Sequence, residues 1–334
     1  MSNNTYFIAF LSNMTAQFNR SLAVFIFFFG VIGNILNIFV FSQRFYRSNS
    51  CAWIFLVLSI VDLVSLVSGL STLIIAGWTT NPSSHIGSIC KIRAFLVFST
   101  RTMATWLMVL ATIDRWFLSS TNALRRQKSS LKNSQLWTTI IIILSAICYS
   151  QQLYCYEANL VDTPLQCYGK TVVCRYLTDL SLALVTVCIP VILMILFSLL
   201  IISNIRQSQR RVQILQSTTM RSIANIPSHS NNRNSLGRFK KTEHGILRML
   251  LSQVILSIIF TSPLCLDKFY SSILEHNGSP VQLTTNAFVY DLAILIYDIS
   301  NGITFYIYIF FGGCIFRKTL YEFLVSIKQK FIGH

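Results

Sequence analysis

Seven long apolar runs dominate this chain, at residues 22–42, 52–76, 91–116, 136–154, 177–203, 246–271 and 284–311. A helix rises about 1.5 Å per residue and a bilayer's hydrocarbon core is about 30 Å thick, so about 20 apolar residues suffice to cross it. Each run fits that length, with tilt absorbing the excess in the longer ones. A transmembrane β-barrel would show segments of about ten residues in strict alternation. The run Thr139-Ile140-Ile141-Ile142-Ile143-Leu144 does not alternate, so helices are expected. Composition agrees: 53% of the 334 residues are apolar and 11% are charged, against about a quarter charged in soluble domains. The expectation is an all-α membrane protein, a seven-transmembrane helix bundle over residues 22–311. Residues 1–21 form an extracellular N-terminal segment, and 312–334 a short cytoplasmic amphipathic eighth helix and tail. Residues 1–21 lack a basic stretch followed by an apolar one, so the first span is expected to act as its own signal.

The formal net charge of +16 could suggest nucleic-acid binding, but its distribution argues otherwise. The loops after the first, third and fifth spans, with the adjoining helix ends and the tail, hold 20 of the 27 Lys and Arg residues. Among them are Arg44, Arg47, Arg125, Arg126, Lys128, Arg210, Arg211, Lys240, Lys241, Arg317 and Lys318. Cytoplasmic loops carry such an excess, which puts the N-terminus outside and the C-terminus in the cytoplasm. Sequons at Asn3, Asn13 and Asn277 all fall on the side so assigned as extracellular, and are the expected glycosylation sites.

Nine cysteines are present. Cys51, Cys148, Cys188, Cys265 and Cys314 lie in or beside spans, where Cys acts as a small apolar filler. Cys90, Cys155, Cys167 and Cys174 lie on the outer side, where disulfides persist. Asp162-Thr163-Pro164 is a turn signal. A hairpin there puts Cys167 in the returning strand, so Cys90–Cys167 is the expected bridge. For Cys155 and Cys174, spacing leaves both a second bridge and free thiols open.

No metal-ligand spacing, phosphate loop or nucleophile motif stands out, and the five His residues are scattered. No enzyme activity, metal or cofactor is expected. The informative residues are ionisable groups at membrane depth, which are expensive and mark function. Asp62 lies within the second span. Asn34, mid-span in the first helix, could hydrogen-bond across to it. Arg101 lies about three turns inside the third span and needs an anion. Asp298 in the seventh span is the first candidate, followed by Asp62 and an acidic group on a ligand.

Taken together, these residues resemble a rhodopsin-like G-protein-coupled receptor over nearly the whole chain. Gly33-Asn34 and Asp62 match in the first two helices. Trp78 precedes Cys90, and Asp114-Arg115-Trp116 stands where the family has Asp-Arg-Tyr. Trp137 begins the fourth helix and Pro190 lies in the fifth. Phe260-Thr261-Ser262-Pro263 occupies the Cys-Trp-x-Pro place. Thr304-Phe305-Tyr306-Ile307-Tyr308 occupies the Asn-Pro-x-x-Tyr place, and Phe316-Arg317-Lys318 starts an amphipathic segment.

The resemblance implies a plasma-membrane receptor that opens its inner face to a heterotrimeric G protein, with arrestin and a receptor kinase as further partners. It implies a switch made of Asp114, Arg115, Glu243 and Tyr308. Glu243 lies twenty residues before Pro263, a spacing that permits an Arg115–Glu243 tether between the third and sixth helices. Pro190 and Pro263 remove backbone donors and kink their helices, which suits an element with two states. The polar core implied is Asn34, Asp62, Arg101, Asp298 and Ser300.

The chain also departs from the family. Thr261 replaces its Trp. Thr304-Phe305 replaces Asn-Pro, which predicts a straighter seventh helix. Ala104 stands where a serine is usual, which argues against bound sodium.

Val97 stands where amine receptors carry Asp, and the seventh span holds no lysine for retinal. The outer acids Glu157, Asp162, Asp179, Asp267, Glu275 and Asp291 make a rim suited to a cationic or Arg-bearing peptide. Tyr306-Ile307-Tyr308 followed by Phe316-Arg317 resembles invertebrate FMRFamide-type neuropeptide receptors. The pocket candidates are Val97, Arg101, Asp179, Thr261, Asp267, Asp291 and Asp298. A small-molecule chemoreceptor of the same fold and a non-signalling receptor-like protein are the alternatives. Residues 206–245 are basic and Ser-rich, suited to phosphorylation. Residues 315–331 place Phe316, Leu320, Phe323 and Leu324 on one face, suited to anionic membrane lipids. A transporter would show internal repeats, and none is visible.

Overall fold

A computed structural model describes residues 3–44, 46–78, 85–120, 122–160, 167–219, 231–273 and 279–332. Helices carry nearly all of it. They are α1 (Asn3–Phe41), α2 (Ser50–Trp78), α3 (Gly87–Ser119), α4 (Ala123–Lys128), α5 (Leu131–Tyr149) and α6 (Gln152–Cys155). A two-stranded antiparallel hairpin follows, β1 (Tyr156–Glu157) with β2 (Tyr168–Gly169). Then come α7 (Val172–Ser181), a π-helical stretch Leu182–Cys188, α8 (Ile189–Thr219), α9 (Asn231–Ile273), α10 (Pro280–Gly302), α11 (Thr304–Phe311) and α12 (Gly313–Ile332).

Six of these helical stretches are long and apolar enough to cross a membrane, and α10 with α11 forms a bent pair that makes a seventh candidate. Their surfaces are inverted relative to a water-soluble protein. Phe25, Phe28, Leu144, Ile147, Ile192, Leu199 and Ile259 face outward, while Asn34, Asp62, Arg101, Asp114, Arg115 and Asp298 are buried. Exposed apolar area on this scale needs a covering phase, which fits a multi-pass membrane protein.

Polar side chains set where several helices start. Asn49 accepts from the amides of Cys51 and Ala52 at the head of α2. Ser130 caps α5 and Thr171 caps α7. Ser279 caps α10, with Pro280 at its first position, where a missing amide hydrogen does no harm. In the bundle α1 packs on α2 and α10, α2 on α3 and α5, α3 on α5 and α8, and α9 on α10. The central helix is α3: 78% of its apolar window is buried, against 22% for the stretch that contains α5. A functional group on α3 is therefore held from all sides.

Three features differ from expectation. First, α1 begins at Asn3, so residues 3–21 continue the first helix instead of forming a separate segment. Leu11 and Asn19 are buried, and Phe18 packs against Phe288 of α10 at 6.2 Å. Second, the fifth span contains π-helical turns just before Pro190. Proline leaves an upstream carbonyl without its amide partner, and side chains from α3 and α5 occupy the wider turns. Trp106 Nε1 donates to the Val185 carbonyl at 3.0 Å, and the Thr186 hydroxyl meets those of Thr102 (2.6 Å) and Tyr149 (2.7 Å).

Third, the last span is not straighter for lacking proline. It bends by 44° between α10 and α11. The cause lies across the interface. A Cβ on Gly302 would stand 3.3 Å from the Gly30 Cα, so small residues bring the two backbones together. There Asn34 Nδ2 donates to the Asn301 carbonyl at 3.0 Å and to Gly30 at 2.9 Å. A buried carbonyl that finds a side-chain partner outside its own helix permits the break.

Candidate functional site

Ionisable and amide side chains occupy the bundle interior in three layers. At the inner end of α3, Arg115 donates to Asp114 Oδ2 from Nη2 at 2.9 Å and from Nε at 3.2 Å, and to Asn49 Oδ1 at 3.2 Å. Asp114 is held in turn by Ser50 (2.8 Å to each oxygen) and by Ser129 at 2.7 Å. Both charges are nearly inaccessible, at 3% and 4% exposure. A buried carboxylate with that many donors has its oxygens satisfied, and it fixes the guanidinium in place. The Glu243 side chain lies outside the described residues, so the expected Arg115–Glu243 pair does too.

Tyr308 does not reach this layer's charges. Its hydroxyl donates to Gln253 Oε1, joining α11 to α9. Its ring sits among Phe41, Phe55 and Phe316. Tyr46 lies in the turn between α1 and α2. Burial pushes its phenol up to about 12, with a Thr319 hydrogen bond pulling the other way.

In the middle layer Asn34 makes no hydrogen bond to Asp62, contrary to expectation: the Asn301 and Gly30 carbonyls take its amide. Among the described residues Asp62 Oδ1 has no hydrogen-bond partner. It faces a cavity of about 20 Å³, room for about one water. Gln253, Ser257, Thr261, Ser300 and Asn301 help to line it. Thr261 donates to the Ser257 carbonyl at 2.8 Å, which returns the hydroxyl to its own helix.

In the outer layer Arg101 finds the first of its three candidate anions. Its Nη2 lies 3.2 Å from Asp298 Oδ1, and its guanidinium stands 4.8 Å from the Tyr297 ring centre. A second buried pair was not foreseen: Lys268 Nζ lies 2.9 Å from Asp179 Oδ1 and 4.2 Å from the Tyr290 ring centre. Asp179 is therefore neutralised and does not belong to a free acidic rim. Asp267 is half-buried near Lys268, and half-buried Asp291 stands beside Asn19. Glu157 is exposed, while Asp162 and Glu275 lie outside the described residues. Val97 is buried in α3.

Two disulfides close this end. Cys90–Cys167 ties the head of α3 to the hairpin, and Cys155–Cys174 ties the end of α6 to α7. The hairpin pushes Tyr156 into the bundle, 5.9 Å from the Phe98 ring. Burial raises the Tyr156 phenol well above its ordinary range, with Lys268 opposing, and burial also raises Tyr168. Asn13 is exposed on α1, Asn3 begins that helix, and Asn277 lies outside the described residues.

Sequence reasoning missed Lys268, Gln253, Ser50 and Ser129. Lys268 and Gln253 were accessible to the same depth rule that singled out Asp62. Ser50 and Ser129 gave no signal, since a serine at a helix end has many uses. No protein-family model matches the chain, and no curated protein matches it.

Proposed function

We propose that this chain is a plasma-membrane receptor of the rhodopsin-like kind, which binds an extracellular ligand and activates a heterotrimeric G protein by opening the inner face between α3 and α9. The observation that carries the reading is the caged Asp114–Arg115 pair at the inner end of the most buried helix, whose outer end is disulfide-bonded to the hairpin loop. One rigid element thus connects a ligand-side loop to an inner charge. A ligand that favours one of two packings can shift that charge.

The polar column supports the same reading. Gln253–Tyr308 joins α9 to α11, and Asn34–Asn301 joins α1 to the bend. These are bonds that two packed states can exchange. The hairpin supports a peptide ligand. The Lys268–Asp179 pair weakens the argument for a cationic one, and this favours the small-molecule alternative.

The test is nucleotide exchange on purified G protein by the purified chain in lipid nanodiscs, beside Arg115→Ala. Exchange above the protein-free rate, lost in the variant, is expected. No exchange by well-folded protein, with or without a ligand panel, would leave a non-signalling membrane protein.

A further inference from the structure

Two thiols meet where the fifth span passes the sixth. Cys188 closes the π-helical stretch, and Cys265 lies on α9 two residues past Pro263. Their sulfurs stand 3.6 Å apart, and both residues are half-buried free thiols. A sulfur–sulfur bond is about 2.05 Å long, so closing the pair takes about 1.5 Å of movement, within the reach of side-chain rotation.

The surroundings hold the two thiols opposite each other. Leu182 of the π-helical stretch and Leu264 of α9 share one buried apolar cluster. From the other side Trp106, Thr102 and Tyr149 hydrogen-bond the stretch to α3 and α5. The pair also sits near the disulfide-bonded end of the bundle. Lys268, one turn past Cys265, pairs with Asp179 of α7, and α7 carries Cys174 of the second bridge. Disulfides persist where the compartment is oxidising. An apolar setting admits a small neutral oxidant such as hydrogen peroxide and excludes a charged one.

We propose that Cys188 and Cys265 are a modification site, a thiol pair that hydrogen peroxide oxidises to a disulfide, stapling α9 to the π-helical stretch. In the first step one sulfur attacks a peroxide oxygen and the O–O bond breaks. The thiol proton leaves with the departing hydroxide as water, and a sulfenic acid remains. The second sulfur then attacks the sulfenic sulfur. The S–S bond forms, and hydroxide leaves with the second thiol proton as another water. Two thiols are oxidised and one peroxide is reduced to two waters. The staple fixes the part of α9 beyond Pro263 to a stretch that α3 and α5 already hold. It forms with or without a G protein. On the receptor reading it restrains the helix whose movement opens the inner face.

The test treats the full chain in nanodiscs with hydrogen peroxide, without G protein. Remaining thiols are then blocked in denaturant, and the digested chain is mapped by mass spectrometry without reduction. A Cys188 peptide joined to a Cys265 peptide is expected, lighter than the two free peptides by two hydrogens and separated again by a phosphine reductant. Oxidation should also raise the melting temperature by several degrees, since the bridge constrains the unfolded chain. The reductant should reverse that rise, and Cys188→Ala and Cys265→Ala should each lack it. The joined peptide from the wild type decides the chemistry even where a variant fails to fold. Oxidation of either sulfur to sulfinic acid without a joined peptide, a bridge from either one to a different cysteine, or no reaction at either would overturn the proposal. So would a Cys188–Cys265 bridge that leaves the melting temperature unchanged or lower, since it would then staple nothing. Nucleotide exchange, measured separately, decides the receptor reading.

Discussion

Asn34 donates from its side-chain amide to the main-chain oxygen of Asn301 at 3.0 Å, a bond that joins the first helix to the last one just before its bend. The bend therefore does not depend on a proline. Close approach at Gly30 and Gly302 places the amide, and the amide satisfies the carbonyl.

Asn34→Leu should leave the Asn301 carbonyl with only the long Thr304 hydroxyl contact, at 3.5 Å, in an apolar interior. A buried acceptor without its donor loses about 1–3 kcal/mol. The variant should melt several degrees lower in detergent, and its α10–α11 angle should change in a spin-label distance measurement. An unchanged melting curve would mean that the bend is held by packing alone.

The cage around Asp114 makes a second prediction. Asp114→Ala removes the carboxylate from the buried Arg115 guanidinium, and breaking a buried pair loses about 3–5 kcal/mol. The variant should be less stable and, on the receptor reading, should show higher ligand-free nucleotide exchange. Ser50→Ala removes one donor and should move both quantities the same way by a smaller amount. If Asp114→Ala lowers stability with no rise in exchange, the cage is structural only.

How far the sequence revealed this site follows from particular residues. The apolar runs, the Arg101–Asp298 pair and the Cys90–Cys167 bridge were legible because each follows from depth, charge or turn chemistry. The bend at Ile303 was not. It depends on a contact 267 residues away in sequence between Asn34 and Asn301, and local propensity carries no record of such a contact. The π-helical stretch was hidden for the same reason: its carbonyl partner, Trp106, lies on another helix. Asp179 was read as a rim acid because nothing in its own neighbourhood reports Lys268, 89 positions later in the sequence.

Trp106 offers a third test. Trp106→Phe keeps most of the ring volume but removes the donor to the Val185 carbonyl. A loss of about 1–3 kcal/mol is expected, seen as a lower denaturation midpoint. Thr186→Val should add to it less than its own single effect, because both residues support the same π-helical turns. Strict additivity would show that the two hydrogen bonds act independently.

The Arg101–Asp298 pair should behave as a buried pair with few surplus donors satisfied, since Arg101 Nε has no hydrogen bond. Arg101→Met leaves Asp298 as an unpaired buried acid and should cost about 3–5 kcal/mol. Arg101→Met with Asp298→Leu removes both charges and should recover most of that loss. Surface expression and melting of the three proteins, wild type, single and double, decide it. A double variant no better than the single would show that the pair contributes shape or specificity beyond charge balance.

Tyr46 gives the pH dependence. Its phenol is buried in the α1–α2 turn, which favours the neutral form against the opposing pull of its Thr319 hydrogen bond to α12, and its folded value is about 12 against 10.0 for a free phenol. The associated stability is fully present below pH 10 and is lost as pH rises through about 12. Phenolate absorbance during an alkaline titration should therefore contain a late component that Tyr46→Phe removes. Thr319→Val removes the hydrogen bond that favours the phenolate and should move that component later still. The Thr319 bond favours the phenolate, so it is the charge placed in the buried turn that strains the packing there. Ionisation should loosen α12 through that strain, which a spin label at exposed Tyr321 would report as increased motion over the same pH range. Motion that changes below pH 10, or does not change at all, would separate Tyr46 from the docking of α12.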